Sequence, residues 1–388
     1  MKKSTNASPN KTKPLTIGLV FDDSLDRADG VQQQLKLLGW WLAESGHRVR
    51  YLAGETRGNS YAGQPVYSLS RNFKVAANQN RLTLPRPVPA SRVAAILDRE
   101  RFDVLHVMLP YSPFLGRTVV KQALKRQIPL VGTFHTHPAS AWQTAGSWAY
   151  GRLIKASLRR FKGLTSVSPA TKRYVRQTFG VDTLVVPNFI DRRRFSRGRP
   201  IAEVAAGQPT VLYLGRLVQR KGPQHLVAAM GRLKAAGRLG DIRLVICGRG
   251  PLEDKLNRQI ARLGLASQTV MAGHIDERLK PDYLASAELA VFPATGGEAF
   301  GIVLIEAMAA GALTLGGDNP GYRTVLGGQP KLLVNPKDSP LLAERIYQLL
   351  HDQPERRRLL KWQQGRLARY DVGVVGPDLV RLYRRAKR

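Results

Sequence analysis

The chain has 388 residues, 43% of them hydrophobic, which is enough for two domains with sizeable cores and excludes a disordered chain. Its 61 Lys and Arg stand against 28 Asp and Glu, a formal charge of +33. Such an excess points to an anionic partner (nucleic acid, an acidic membrane surface or a phosphorylated ligand) unless the source proteome is basic throughout. One cysteine, Cys247, rules out an intrachain disulfide and suits a reducing, cytoplasmic compartment. No apolar run approaches the ~18–20 residues of a membrane-spanning helix.

Residues 1–14 (MKKSTNASPNKTKP) are polar and basic with no apolar segment behind the charges, so a disordered tail is expected and a signal peptide is not. Short apolar runs then alternate with helical patterns. Strands are predicted at Thr16–Phe21, Val49–Leu52, Val104–Met108, Leu130–Phe134, Leu164–Val167 and Leu184–Val186, with helices at Val31–Ser45, Ser112–Arg126 and Ala139–Phe161. The second half repeats the scheme. Strands are expected at Thr210–Leu214, Arg243–Cys247, Thr269–Ala272, Leu289–Pro293, Ala312–Leu315 and Lys331–Val334. Helices fit Gly222–Ala235, Leu252–Leu263, Arg278–Ser286, Phe300–Ala310 and Pro340–Leu350. Continuous apolar strands between helices mean parallel sheets covered on both faces, hence two doubly wound α/β domains. The join falls in the Arg-, Gly- and Pro-rich stretch Pro187–Gln208. Ligands of such sheets bind beyond the carboxyl ends of the strands, which draws attention to Asp22–Gly30, His135–Ser140, Arg216–Gly222, Gly248–Pro251 and Thr295–Phe300.

The segment from Ala294 to Gly311 carries the most chemistry. Gly296 and Gly297 let backbone approach a ligand closely, and a helix starting near Phe300 aims its first amides at an anion such as a diphosphate. Glu306 sits in a helix apolar almost all round, where a carboxylate must be hydrogen-bonded; ribose hydroxyls or a neighbouring amide would serve. Glu298 could face a sugar hydroxyl or stand as a solvated loop acid. Together they form an E-x7-E pattern, and in its surroundings the chain resembles family 4 retaining glycosyltransferases of the two-domain GT-B fold, in particular phosphatidylinositol mannosyltransferases, from about Leu15 to Lys387.

The resemblance implies roles for further residues. Arg216 and Lys221, in Gly215-Arg-Leu-Val-Gln-Arg-Lys-Gly222, would grip the donor diphosphate in place of a metal; two cations suit the negative charge that develops on the leaving group. Arg220 is assigned to the surface. Gly248 in Cys247-Gly-Arg-Gly-Pro251 would lie near the nucleotide base, with His274 and Ile275 contacting it through backbone. Ala299, Phe300, Gly301 and Ile302 complete the donor contacts. Gly30 matches a phosphate-approaching loop, although Asp29 stands where the family has glycine. His135, after a strand, matches the active-site histidine and would meet the transferred sugar or the acceptor hydroxyl; His137 is the weaker choice. Asp23 and Gln32 are the other acceptor candidates. The adjacent carboxylates of Asp22 and Asp23 are read as solvated rather than as a metal site.

Val186-Pro-Asn-Phe-Ile-Asp191 resembles the family's domain link with Phe189 replacing glycine, and Tyr370-Asp371 resembles the crossing back to the first domain. The implied organisation is an acceptor domain over 15–190, a donor domain over 191–370, and a terminal segment, 371–388, whose helix (Pro377–Ala386) packs on the first domain. The implied reaction is sugar transfer from a nucleotide sugar, GDP-mannose or a UDP-sugar, with retention, no metal and no cofactor. The acceptor would be a lipid such as phosphatidylinositol, or another glycan, met at the inner face of an anionic membrane. However, Asp23 occupies the place of an aromatic side chain in the inositol-binding enzymes, and the helix around Ala90–Asp98 carries only Arg92 where they have a basic cluster. A nucleic-acid-binding protein is the rival on charge, disfavoured because no recognition motif accompanies it; an epimerase or a phosphorylase of similar architecture is the third reading.

Overall fold

The central strands are apolar runs buried on both faces, so they need helices above and below them. In the computed structural model, which describes residues 13–26, 29–77, 80–138, 141–205 and 207–388, they form two separate sheets. The basic tail expected over residues 1–14 lies almost wholly outside the described residues. The first domain holds β1 (Thr16–Phe21), β2 (Arg48–Ala53), β3 (Ser60–Tyr61), β4 (Gln64–Ser68), β5 (Asn72–Ala77), β6 (Asn80–Pro85), β7 (Val104–Leu109), β8 (Leu130–Phe134), β9 (Gly163–Ser166) and β10 (Leu184–Val185). Eight of them make one sheet of order β10-β9-β8-β7-β1-β2-β4-β3, parallel except where β3 turns back on β4; β5 and β6 pair as a separate hairpin. The second domain is a wholly parallel sheet of β11 (Thr210–Leu214), β12 (Arg243–Cys247), β13 (Thr269–Gly273), β14 (Leu289–Phe292), β15 (Leu313–Gly317) and β16 (Leu333–Val334), in the order β13-β12-β11-β14-β15-β16.

Every predicted strand is present. Two long helices escaped the reading, Pro169–Phe179 and Gln353–Leu367. The first has clear termini: the Ser168 hydroxyl accepts the Thr171 amide at 3.0 Å, Pro169 opens the helix, and Gly180 closes it in the left-handed region at φ 63°.

Two chain crossings join the domains and lie side by side. Ile190 N–H donates to the Tyr370 carbonyl at 2.8 Å, and Val372 N–H donates back to Ile190 O at 2.9 Å. The Gln34 side-chain amide clamps the first crossing, donating to Phe189 O at 2.7 Å and accepting from Phe189 N–H at 2.9 Å. The last helix runs Val372–Lys387, a turn longer at its start than expected. Its buried stripe of Val372, Val375, Leu379, Tyr383 and Ala386 recurs every three or four residues, and it joins the first-domain core of Ile17, Leu35, Leu38, Met108 and Val131. Leu379 alone contributes about 1.5–3 kcal/mol by the area it removes from water. Tyr383 also hydrogen-bonds His106 Nδ1 at 2.6 Å, while His106 Nε2 meets Thr133 Oγ1 at 2.7 Å. Burial, with His135 nearby, pushes the His106 imidazole down to about 3.

Candidate active site

In each sheet the strand order reverses once, between β1 and β7 and between β11 and β14, and a crevice opens there at the carboxyl ends. The two crevices face each other across one cavity of about 450 Å³, walled by both domains. Two helices begin on opposite walls: Gly30–Glu44 after β1 and Ile302–Ala309 after β14. They nearly touch, since a Cβ placed on Gly30 would lie 3.3 Å from Ile302 Cδ1. Two sets of unpaired amides, each at the positive end of a helix dipole, therefore converge on one point, an arrangement that holds a diphosphate.

The cations come from the turn after β11. Gly222 adopts φ 76°, and a Cβ there would press within 1.9 Å of the Pro293 carbonyl, so only glycine lets this turn seat against the end of β14. Thr295 N–H then donates to Arg220 O at 2.9 Å, locking the turn to the Glu298 loop. As a result Arg220 Nη1 lies 2.8 Å from Glu298 Oε1, and Lys221 Nζ lies 2.9 Å from the same oxygen and 3.1 Å from Oε2. Glu298 is buried and doubly paired, so the solvated-acid reading fails. Arg220 is no surface residue: the tight turn Gln219–Lys221 aims it into the cavity beside Lys221. Arg216 also lines the cavity, as do Ala299, Phe300, Gly301 and Ile302.

Glu306 is buried and reaches the cavity, with a partner that spacing did not reveal. Lys280 Nζ sits 3.0 Å from Glu306 Oε1 and 2.7 Å from Glu277 Oε1. Burial pulls the Lys280 ammonium down, but the Glu306 and Glu277 carboxylates outweigh it and hold it above the ordinary lysine value. Glu306 thus keeps one oxygen committed to a lysine and its other oxygen available to a hydroxyl.

On the facing wall are Asp29, Gly30, Val31, Gln33, His135, Thr136, His137 and Asn188. Burial drives His135 down to about 4 against the opposing effect of its Asn188 hydrogen bond, so the ring is neutral at neutral pH and can both donate and accept. His137 packs against Tyr174, ring centres 5.8 Å apart. The Asp29 carboxylate caps no helix amide and stands at the cavity mouth, an acid beside the converging helix ends.

Five residues expected at the site do not line this cavity. Gly248 follows β12, where a Cβ would strike the Gly215 carbonyl at 1.9 Å, so its smallness packs two turns together. His274 is exposed and the Ile275 side chain packs on the core side of the turn after β13, the edge strand, so any part these two play is through backbone, outside the lining of this cavity. Gln32 is buried, pointing at Ser24 O at 3.5 Å, and its neighbour Gln33 faces the cavity instead, because one residue turns a helix by about 100°. Asp23 Oδ1 accepts from Ser24 N–H at 2.7 Å and Asn72 Nδ2 at 3.2 Å, and the residue is not part of the cavity lining.

Asp22 is not solvated either. Its carboxylate accepts from the Ser112 amide and, at 2.9 Å, from Ser112 Oγ. Burial outweighs these bonds and raises it to about 6. A carboxyl whose folded value exceeds its unfolded one destabilises progressively as pH rises from about 3.8 through 6. Asp22→Asn is therefore expected to raise the melting temperature relative to the native chain more at pH 7.5 than at pH 4.5. An equal or inverted difference in a thermal-unfolding series would refute this. Among the described residues no group of three or more His, Cys, Asp or Glu side chains is arranged to hold a metal ion.

Facing α/β domains, a shared crevice and converging cations and helix ends define a GT-B glycosyltransferase. The family model described as Glycosyltransferase Family 4 matches residues 28–194, and that described as Glycosyl transferases group 1 matches residues 197–364. The phosphatidyl-myo-inositol mannosyltransferase of Mycolicibacterium smegmatis is 31% identical over 375 residues, covering 95% of this chain and 93% of the relative. A GDP-mannose-dependent alpha-(1-6)-phosphatidylinositol monomannoside mannosyltransferase of the same organism is 27% identical, with coverage of 86% and 89%. The crystal structure of Anabaena HepE with UDP-glucose shares the fold at a TM-score of 0.72 and 18% identity, covering 95% of this chain and 98% of that one. The chain belongs to glycosyltransferase family 4.

Proposed function

We propose that this enzyme transfers mannose from GDP-mannose to phosphatidylinositol or a closely related lipid at the inner face of an anionic membrane, retaining the anomeric configuration and using no metal. The observation that supports the donor half is the convergence of two helix N-termini with Arg216, Arg220 and Lys221 on one cavity. These groups stabilise the diphosphate as it leaves, and Glu298 holds two of the cations in place until the donor arrives. The free oxygen of Glu306 takes a ribose hydroxyl. His135, neutral and on the opposite wall, orients the sugar or the acceptor hydroxyl. No side chain is assigned as a nucleophile, so the acceptor attacks on the face the diphosphate leaves, and catalysis is positioning and electrostatics.

The acceptor rests on the named activities of the relatives, and the +33 charge favours an anionic surface. The test pairs a thermal-shift panel of GDP, GDP-mannose, UDP and UDP-glucose with transfer of labelled mannose into lipid. Native-state binding at a hundredfold excess over Kd adds about 2.7 kcal/mol of stability. We expect GDP and GDP-mannose to stabilise the protein and label to enter the lipid phase with phosphatidylinositol present. Stabilisation by the uridine nucleotides alone would move the donor to a UDP-sugar, and an unlabelled lipid phase would dismiss the acceptor.

A further inference from the structure

The first domain's charge is unevenly distributed along the chain. From Val104 to Val181 there is no Asp or Glu, while twelve Lys and Arg lie in the same stretch, nearly twice the net positive density of the whole chain. The stretch contributes the helices Leu115–Lys125, Ala141–Leu158 and Pro169–Phe179, whose buried residues belong to one core on one face of the sheet. Their outer surfaces form a strongly basic face, edged by Asp98, which pairs with Arg126, and by Asp182, which pairs with Lys172. The helix Ala141–Leu158 is the apolar part of it. Gly151, Ile154 and Leu158 are buried, whereas Trp148, Ala149, Arg152, Leu153 and Ala156 are exposed along an arc of about 140°. Leu153 is 80% exposed and Trp148 51%, and the Arg152 guanidinium lies over the Trp148 ring at 4.9 Å. Arg159 and Arg160 stand exposed at the end of the helix.

We infer that this helix is a membrane-docking element, inserting Trp148 and Leu153 into the headgroup boundary of an anionic bilayer while the surrounding cations hold the lipid charges. A Trp and a Leu left bare on a helix that carries Arg152 and Lys155 and no acid of its own is the composition of a helix lying in a bilayer interface. Nucleic acid would use the cations and could stack on Trp148, but it leaves Leu153 without an apolar partner. The helix follows closely after His137 on the cavity wall, so docking through it sets the acceptor side of the cavity against the lipid surface. The expected cluster on the helix Ala90–Glu100 is replaced in this way by one further along the chain. The inference rests on the proposal of a membrane-bound acceptor and specifies the surface that meets the membrane.

The test is co-sedimentation of the full chain with vesicles of seven parts phosphatidylcholine to three parts phosphatidylglycerol, against pure phosphatidylcholine. We expect salt-sensitive binding of the native chain to the anionic vesicles alone. The partition coefficient should fall by roughly tenfold or more in Trp148→Asp/Leu153→Asp and again in Arg159→Glu/Arg160→Glu, given about 1 kcal/mol per basic residue near such a surface. The reversal Arg258→Glu/Arg262→Glu, on an exposed helix of the second domain, should change it far less, and stabilisation by nucleoside diphosphate should persist in every variant. Native binding that survives the Trp148/Leu153 change overturns the docking helix and leaves the membrane reading standing. No binding by the native chain overturns both. Loss of polyuridylate binding with vesicle binding intact assigns the face to nucleic acid and overturns the inference.

Discussion

Lys221→Ala is expected to lower kcat by about 10²–10³, with a much smaller change in the donor KM and almost none in thermal stability. The size follows from where the ammonium stands. It reaches a cavity between two helix ends, where a fixed charge acting on a developing negative charge is worth about 2.7–4 kcal/mol in the transition state. The ground-state diphosphate is still met by Arg216, Arg220 and the helix amides, so binding suffers less than turnover. The fold suffers little because Glu298 keeps its Arg220 partner at 2.8 Å and is not left as a bare buried carboxylate. Steady-state kinetics with saturating donor decide the matter; a kcat within fivefold of the native value would remove Lys221 from the stabilisation of the leaving group.

Glu306→Ala should behave differently. Loss of the ribose contact raises the donor KM, and kcat/KM is expected to fall by about 10- to 10²-fold, the ~1.5–3 kcal/mol of a charged hydrogen bond. Stability also drops, by about 1–2 kcal/mol rather than the full ~3–5 of a broken buried pair, because Lys280 retains Glu277 at 2.7 Å. Glu306→Gln, which keeps an acceptor in place, should recover part of the affinity. The discriminating measurement uses a donor with deoxyribose. The native enzyme should bind it more weakly than the ribose form, and Glu306→Ala should bind the two alike. Equal preference for ribose in both enzymes would detach Glu306 from the sugar.

The gathering of Glu298, Glu306, Arg216 and Lys221 around one cavity was legible because they are close in pairs along the chain. Glu298 and Glu306 flank one helix start, and Arg216 and Lys221 share one short turn, so spacing along the chain already constrains them in space. Lys280 was not legible, since nothing local links it to Glu306, which sits on a later helix beyond an intervening strand. Arg220 was misread because a tight turn sends two successive side chains the same way, where an extended chain would send them apart. On the acceptor side, Gln32 and Gln33 differ by one step around a helix, and that rotation is set by packing against the sheet. The fold shows the same division. Long apolar strands announced themselves, but β3 and β4 are short and largely polar, and the helix Gln353–Leu367 is polar nearly all round, so none of these has a period to find.

The paired crossings at Ile190 and Asp371 mean that the second domain is an insertion into the first. The chain also ends close to where the first domain begins, Arg384 donating to the Lys13 carbonyl and Lys387 pairing with Asp103. During synthesis the inserted domain is complete once its last helix has left the ribosome. The host domain by contrast must wait for the final helix to cover Ile17, Leu35 and Val131. Folding is thus nested, the inner unit finishing before the outer one. A ribosome stalled short of Val372 would present a finished second domain beside a first domain in which one face of the sheet is covered only in part, by the helix Gly30–Glu44.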